Sequence, residues 1–210
     1  MTTVAHMRLF VAVQPPEHVV EDLEEFLAPR RAAGDFRWTP PDQWHVTLAF
    51  MAQAPDRVLD DLTERLTRAG RRRTPFGLRV AGGGAFPNAA RARVVYGDVR
   101  GAEASDADRD LTELRRLATG ARAAASKAGA EPTGGPFRPH LTLARVGRPQ
   151  EVSNWVRLLD AYRGPEWEVH EFSLVVSHLG EGPRKRPRHE VLERFPLGRL
   201  GAGGRLAANP

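Results

Sequence analysis

Two short stretches carry the residue types that could do chemistry. Residues 45–50 read HVTLAF and residues 140–145 read HLTLAR, so histidine, threonine, leucine and alanine recur in the same order in both. Successive side chains of an extended strand point to opposite faces, which puts His45 and Thr47 on one face and Val46 and Leu48 on the other. His140 and Thr142 separate from Leu141 and Leu143 in the same way. The aliphatic pairs can sink into a core while both polar pairs look into a shared cleft. Two imidazoles and two hydroxyls gathered there make an acid/base set, because histidine, with an unperturbed pKa near ~6.5, can hold or release a proton at working pH. A purely structural duplication would keep leucine and alanine, but it has no reason to keep histidine and threonine on one face.

The rest of the chain narrows the chemistry further. There is no cysteine, which excludes disulfides, thiolate zinc sites and cysteine nucleophiles. Two histidines could hold zinc, yet no third or fourth ligand stands at matching spacing, so neither a metal nor a cofactor is expected. No GxGxxG, GxxxxGK[ST] or GxSxG occurs, and Gly82, Gly83 and Gly84 lack a following helix, which favours a bulge or turn over a phosphate loop. His6, His18, His170, His178 and His189 have no companion motif and are read as structural. The formal charge of +5 comes with arginine preferred over lysine, and the guanidinium fork suits phosphate oxygens. Basic clusters at residues 71–73 and 184–188 could track a polyanionic backbone. Arg145 lies five residues after His140. That odd offset points it away from the cleft in a regular strand, so it reaches the site only if the strand bends, bulges or ends; Phe50 holds the same place in the first copy.

Strands and helices must position these groups. A chain of 210 residues, 41% hydrophobic and 27% charged, is an ordinary globular composition able to bury a real core. No apolar run approaches the roughly 18 residues of a membrane helix and no leader opens the chain, so a cytoplasmic protein without membrane contact is expected. Residues 7–13 read as a buried strand, and Pro16 opens an amphipathic helix to about residue 33. A brief strand at 36–39 precedes the first motif strand, about 44–51, and a helix follows from Val58 to Ala69. Residues 76–81 form a strand ending in the glycines, paired as a hairpin with 92–99. A long helix from Asp106 to Gly129 leads to the second motif strand, 140–146. Pro149 then opens a helix to about residue 161, residues 168–179 run extended, and 189–195 form the last strand. The order strand, helix, strand around each histidine motif predicts an α+β fold of two lobes, each a small antiparallel sheet with outer helices, facing a shared groove. Residues 1–197 form one bilobal unit, in which the first strand can belong to the second lobe's sheet; residues 198–210 read as a flexible tail.

The paired HxTL strands, preceded by RLFVAV, FRWTPPDQWHVTLAF and PFRPHLTLAR and followed by FSLVVSHLG and VLERFPL, resemble the 2H phosphoesterase superfamily. Within it they are similar to the RNA 2',3'-cyclic phosphodiesterases, also called 2'-5' RNA ligases, from about residue 7 to residue 197. The resemblance implies a bilobal α+β fold, two antiparallel sheets with outer helices around a central cleft with pseudo-twofold symmetry. It implies that His45 is the proton donor and His140 the proton acceptor, that Thr47, Thr142 and Arg145 bind phosphate, and that Phe50 can stack on a terminal base. The implied partner is RNA with a 2',3'-cyclic phosphate terminus, acted on by a monomer without metal and left with a 2'-phosphate end, with reversible 2'-5' RNA ligation beside it. Family members commonly carry a tyrosine ahead of the final strand, where this chain has His189. Two other readings stand beside this one: a non-catalytic RNA-end binder, and a phosphodiesterase for small cyclic nucleotides or ADP-ribose cyclic phosphate.

Overall fold

The computed structural model describes residues 6–182 and 185–198, which hold nine strands and four α-helices. The apolar run after the N-terminus forms β1, His6–Val13. Helix α1, Glu17–Leu27, follows Pro16 and buries Val19, Leu23 and Leu27, one turn apart on a single face. It stops short of the expected residue 33. Pro29 cannot donate to the carbonyl four residues back, and the chain tightens into a 3-10 turn over Ala28–Ala33.

Strand β2, Arg37–Trp38, and β3, Val46–Pro55, lead to α2, Leu59–Gly70, with Leu62 and Leu66 inward. Strand β4, Phe76–Phe86, does not end at the glycines but runs through them. A register shift between Val80 and Gly83, with Gly82 at φ 81°, makes the bulge. Any Cβ on Gly83 would lie 2.7 Å from Leu159, so glycine is what lets the next layer approach. After β5, Ala92–Gly101, comes α3, Ala107–Ala128, capped by the Asp106 carboxylate accepting from the Arg109 amide and closed by left-handed Gly129.

Strand β6, His140–Gln150, carries Pro149 near its end, so the expected proline-opened helix is corrected: α4 spans only Ser153–Asp160. The expected extended run of 168–179 is two strands. They are β7, Arg163–Val169, and β8, Glu171–His178, parted at His170 and placed toward opposite edges of the sheet. Strand β9, Arg188–Pro196, closes the fold. The expected tail lies, beyond Gly198, outside the described residues.

The strands follow the order β7-β4-β5-β6-β3-β1-β8-β9, with β2 on β6, all antiparallel. Between β6 and β3 the pairing is reduced to one residue pair, Val46 with Leu141. The sheet is therefore two four-stranded halves meeting at a seam, which is the bilobal arrangement. One half, β3-β1-β8-β9, draws on both ends of the chain, since β1 pairs with β3 and with β8; the other comes from the middle, where β6 and β7 flank the β4–β5 hairpin. Helices α1 and α4 pack on β7 and β4, α2 on β8 and β9, and α3 spans from β3 to β4 and β5. Among the described residues no helix is long and apolar enough to cross a membrane.

Candidate active site

The seam positions the chemistry. Val46 and Leu141 face each other and are fully buried, so the pleat turns their neighbours, His45 and Thr47 on β3's approach and His140 and Thr142 on β6, to the opposite face. Four polar side chains thus surround one apolar pair. In antiparallel pairing this pattern is its own image under a local twofold.

Arg145 and Phe50 reach the same face by a device the motif does not spell out. Partners on β5 step from Val95–Ala144 to Tyr96–Thr142, leaving one extra residue on β6 at Leu143. On β3 the register with β1 steps from Val11–Ala49 to Ala12–Thr47, leaving one extra at Leu48. Each β-bulge reverses the alternation, and burial follows suit: Leu143 and Ala144 are both buried, as are Leu48 and Ala49. Matched bulges in the two lobes therefore turn Arg145 and Phe50 into the cleft.

The histidines are held alike. His45 Nδ1 lies 2.7 Å from the Gln43 carbonyl and His140 Nδ1 lies 2.7 Å from the Arg138 carbonyl, each two residues back. A carbonyl only accepts, so Nδ1 carries the proton in both rings and Nε2 is the nitrogen left for chemistry. Phe10 stacks on His45 at 4.5 Å between centroids, while His140 stands edge-on to Phe86 and Tyr96. Burial pulls the His140 pKa down, opposed by its carbonyl bond and by Asp98. Burial also pulls His45 down, to about 4; its carbonyl bond opposes this, and His189, His140 and Arg145 add to it. One edge of the His45 ring opens to the cleft, where water moderates that burial.

A cavity of about 540 Å³ is lined by His45, Thr47, Thr142, Arg145 and Phe50, together with residues not anticipated as site residues. Of the expected site residues only His140 is not in that lining; it sits on the same strand face, two positions before Thr142. Arg8, Phe10, Arg37, Trp38, Gln43, Lys185, Arg186 and His189 complete most of the wall. Arg8 and Phe10 were legible, since alternation in RLFVAV puts them on one face. His189, expected to be structural, is corrected: its ring stands 5.6 Å from that of His45 and 4.9 Å from Phe10. The Arg8 guanidinium lies 4.4 Å over the Phe50 ring, so one face of that aromatic is already covered. The basic cluster at 71–73 is elsewhere: Arg72 and Arg73 line a groove between α2 and α3 that shares no residue with the cleft. Among the described residues no group of three or more His, Cys, Asp or Glu side chains is placed to hold a metal ion.

Residues 15–181 match the model of the 2'-5' RNA ligase superfamily. The chain belongs to that superfamily. An RNA 2',3'-cyclic phosphodiesterase of Thermus thermophilus is 36% identical over 197 residues, covering 91% of this chain and 90% of the relative. The crystal structure of TT0787 of Thermus thermophilus superposes with a TM-score of 0.72 at 35% identity, covering 92% of this chain and all of that one. Escherichia coli LigT complexed with 3'-AMP gives 0.70 at 25% identity over 92% and 99% of the two chains.

For this superfamily member the lowered histidine pKa values fix the sign of a pH effect. His45 in the fold takes its proton only near pH 4, whereas in the unfolded chain it does so near 6.5. Between those values the unfolded state binds more protons, so stability is complete above about pH 6.5 and falls as pH drops toward 4. His140 and His189, also lowered, act in the same direction. The urea midpoint is expected to fall between pH 7 and pH 5, and added inorganic phosphate, by giving the charged rings a counterion, to restore part of the loss. A midpoint that rises over that interval contradicts the buried, neutral histidines.

Proposed function

We propose that this protein hydrolyses the 2',3'-cyclic phosphate at the end of an RNA to a 2'-phosphate end, with His45 and His140 as the acid/base pair. The observation that carries this reading is the matched pair of histidines at the seam, each with Nδ1 tied to a carbonyl and Nε2 left free. His140 Nε2 takes a proton from water as its oxygen bonds to phosphorus in line. The bond from phosphorus to the ribose 3'-oxygen breaks, and His45 Nε2 gives that oxygen a proton. Thr47, Thr142 and Arg145 hold the non-bridging oxygens, where charge accumulates in the transition state.

The roles require one ring charged and one neutral. In the empty cleft both rings are held neutral at pH 7, and Asp98 favours protonation of His140 rather than His45. The anionic phosphate reverses this at His45 by supplying the countercharge that the surrounding cations lack, so the donor acquires its proton with the substrate. A bell-shaped pH dependence follows. With a 5'-hydroxyl in place of water, the same groups join a cyclic end to that hydroxyl as the bond to the 3'-oxygen breaks, although water in vast excess favours hydrolysis.

The test is product analysis on an oligonucleotide with a 2',3'-cyclic phosphate end, with and without EDTA. A 2'-phosphate product formed at the same rate in both is expected. A 3'-phosphate product, or a rate abolished by EDTA and restored by zinc, overturns the reading.

A further inference from the structure

The cleft holds more positive charge than one phosphate uses. Arg8, Arg37, Arg145, Lys185 and Arg186 all line it, no carboxylate does, and none of the five forms an ion pair among the described residues. Arg145 feels Arg37 and Arg8 strongly enough that their repulsion, after burial, depresses its own pKa. Like charges gathered at such short range cost stability unless an anion joins them. A cyclic phosphodiester carries a single negative charge, which Arg145 and the two threonines suffice to hold.

The surplus is concentrated on one side. Arg37 stands on β2, beside Trp38, paired across from Arg145. Lys185 and Arg186 come from the β8–β9 connection, which is strapped over the cleft from both ends of the contact: Arg186 Nη1 donates to the Trp38 carbonyl at 3.1 Å, and Gln43 Nε2 donates to the Pro187 carbonyl at 3.0 Å. Lys185 adopts a left-handed backbone, φ 58°, a conformation a lysine takes only when its surroundings impose it. One Arg186 nitrogen is used by the strap, leaving the rest of its fork for an oxyanion. The cavity, at about 540 Å³, falls in the size range of a drug-like ligand and exceeds what one phosphate fills.

We propose that Arg37, Lys185 and Arg186 form a second phosphate subsite, which takes the internucleotide phosphate immediately 5' to the reacting end. The inference rests on the hydrolytic reading above and deepens it, by making the substrate class an RNA chain of two or more nucleotides rather than a nucleoside cyclic phosphate. The contact is to the backbone and so carries no base preference.

The experiment compares kcat/KM on a dinucleotide ending in a 2',3'-cyclic phosphate with that on a nucleoside 2',3'-cyclic phosphate, which lacks the extra phosphate. In the K185Q/R186Q variant the dinucleotide-to-nucleoside ratio is expected to fall about tenfold, the scale of a lost charge-assisted contact. The salt dependence of the dinucleotide rate is expected to become shallower by roughly 0.7 in log–log slope for each contact removed. Because R186Q also cuts the strap, R37Q is the second variant: it removes the subsite's cation on β2, leaves the strap bonds intact and is expected to lower the same ratio. A ratio within twofold of wild type in both variants, or equal losses on both substrates, overturns the subsite. Fluorescence anisotropy with a labelled dinucleotide bearing a 2'-phosphate end reads the subsite without turnover. Wild-type binding weakened about tenfold in R37Q supports it and unchanged binding refutes it, even if no substrate is hydrolysed and the catalytic reading itself fails.

Discussion

Replacing His45 or His140 by alanine is expected to lower kcat by about 10²- to 10⁴-fold on a cyclic-ended RNA, the range that a positioned general acid or base contributes. Both variants should fold, because each histidine is only half-buried and the fully buried Val46 and Leu141 that hold the seam are untouched. The two losses have different causes, and a change of leaving group separates them. When the ribose 3'-oxygen is replaced by sulfur, the departing thiolate needs no proton. That substrate is expected to rescue His45→Ala and leave His140→Ala slow, because water must still be deprotonated. Rescue of His140→Ala instead would exchange the two roles, which is the outcome that the pull of Asp98 on His140 would favour if substrate charge did not intervene. Losses below tenfold in both variants would remove the acid/base pair altogether.

Arg145→Ala is expected to cost about 10²- to 10³-fold in kcat, comparable with removing a preorganised donor from an oxyanion site. Arg145→Lys should recover only part of this, since an ammonium is a point charge and cannot present two parallel donors to two phosphate oxygens. Arg145 is exposed and its side chain makes no hydrogen bond or ion pair within the described residues, so its truncation should leave the urea midpoint nearly unchanged. Any small change is expected to be upward, because the repulsion among Arg8, Arg37 and Arg145 is relieved. A kcat within threefold of wild type would mean that the bulge at Leu143 turns the arginine into the cleft for some other purpose.

These two expectations differ in how far the sequence alone supports them. Period-two alternation brought His45, Thr47, His140 and Thr142 to one face each, and the repeat argued that those faces meet. Alternation carried no information about Arg145 and Phe50, whose odd offsets direct them away from the cleft in a regular strand. A β-bulge depends on how many residues the partner strand sets against them, and that partner, β5 for Arg145 and β1 for Phe50, lies far off in sequence. The family resemblance marked His189 only as a departure from the usual tyrosine, and its place beside His45 exists only because β9 pairs with β8, β8 with β1, and β1 with β3. Pro149 and the run 168–179 misled local reading in the opposite sense. A proline was tolerated near a strand end, and an unbroken extended stretch was divided between the two halves of the sheet.

By itself the sequence determined the residue chemistry, the α+β class, the doubled motif and the family resemblance, because these follow from composition, alternation and local spacing. The tertiary structure alone decided that the sheets join at a single pair of residues, that matched bulges bring Arg145 and Phe50 around, and that five cations without ion-pair partners among the described residues crowd one cleft. The physical reason is that register and charge clustering are set by contacts between strands distant along the chain, and no property of a segment read alone encodes which strand will lie beside it.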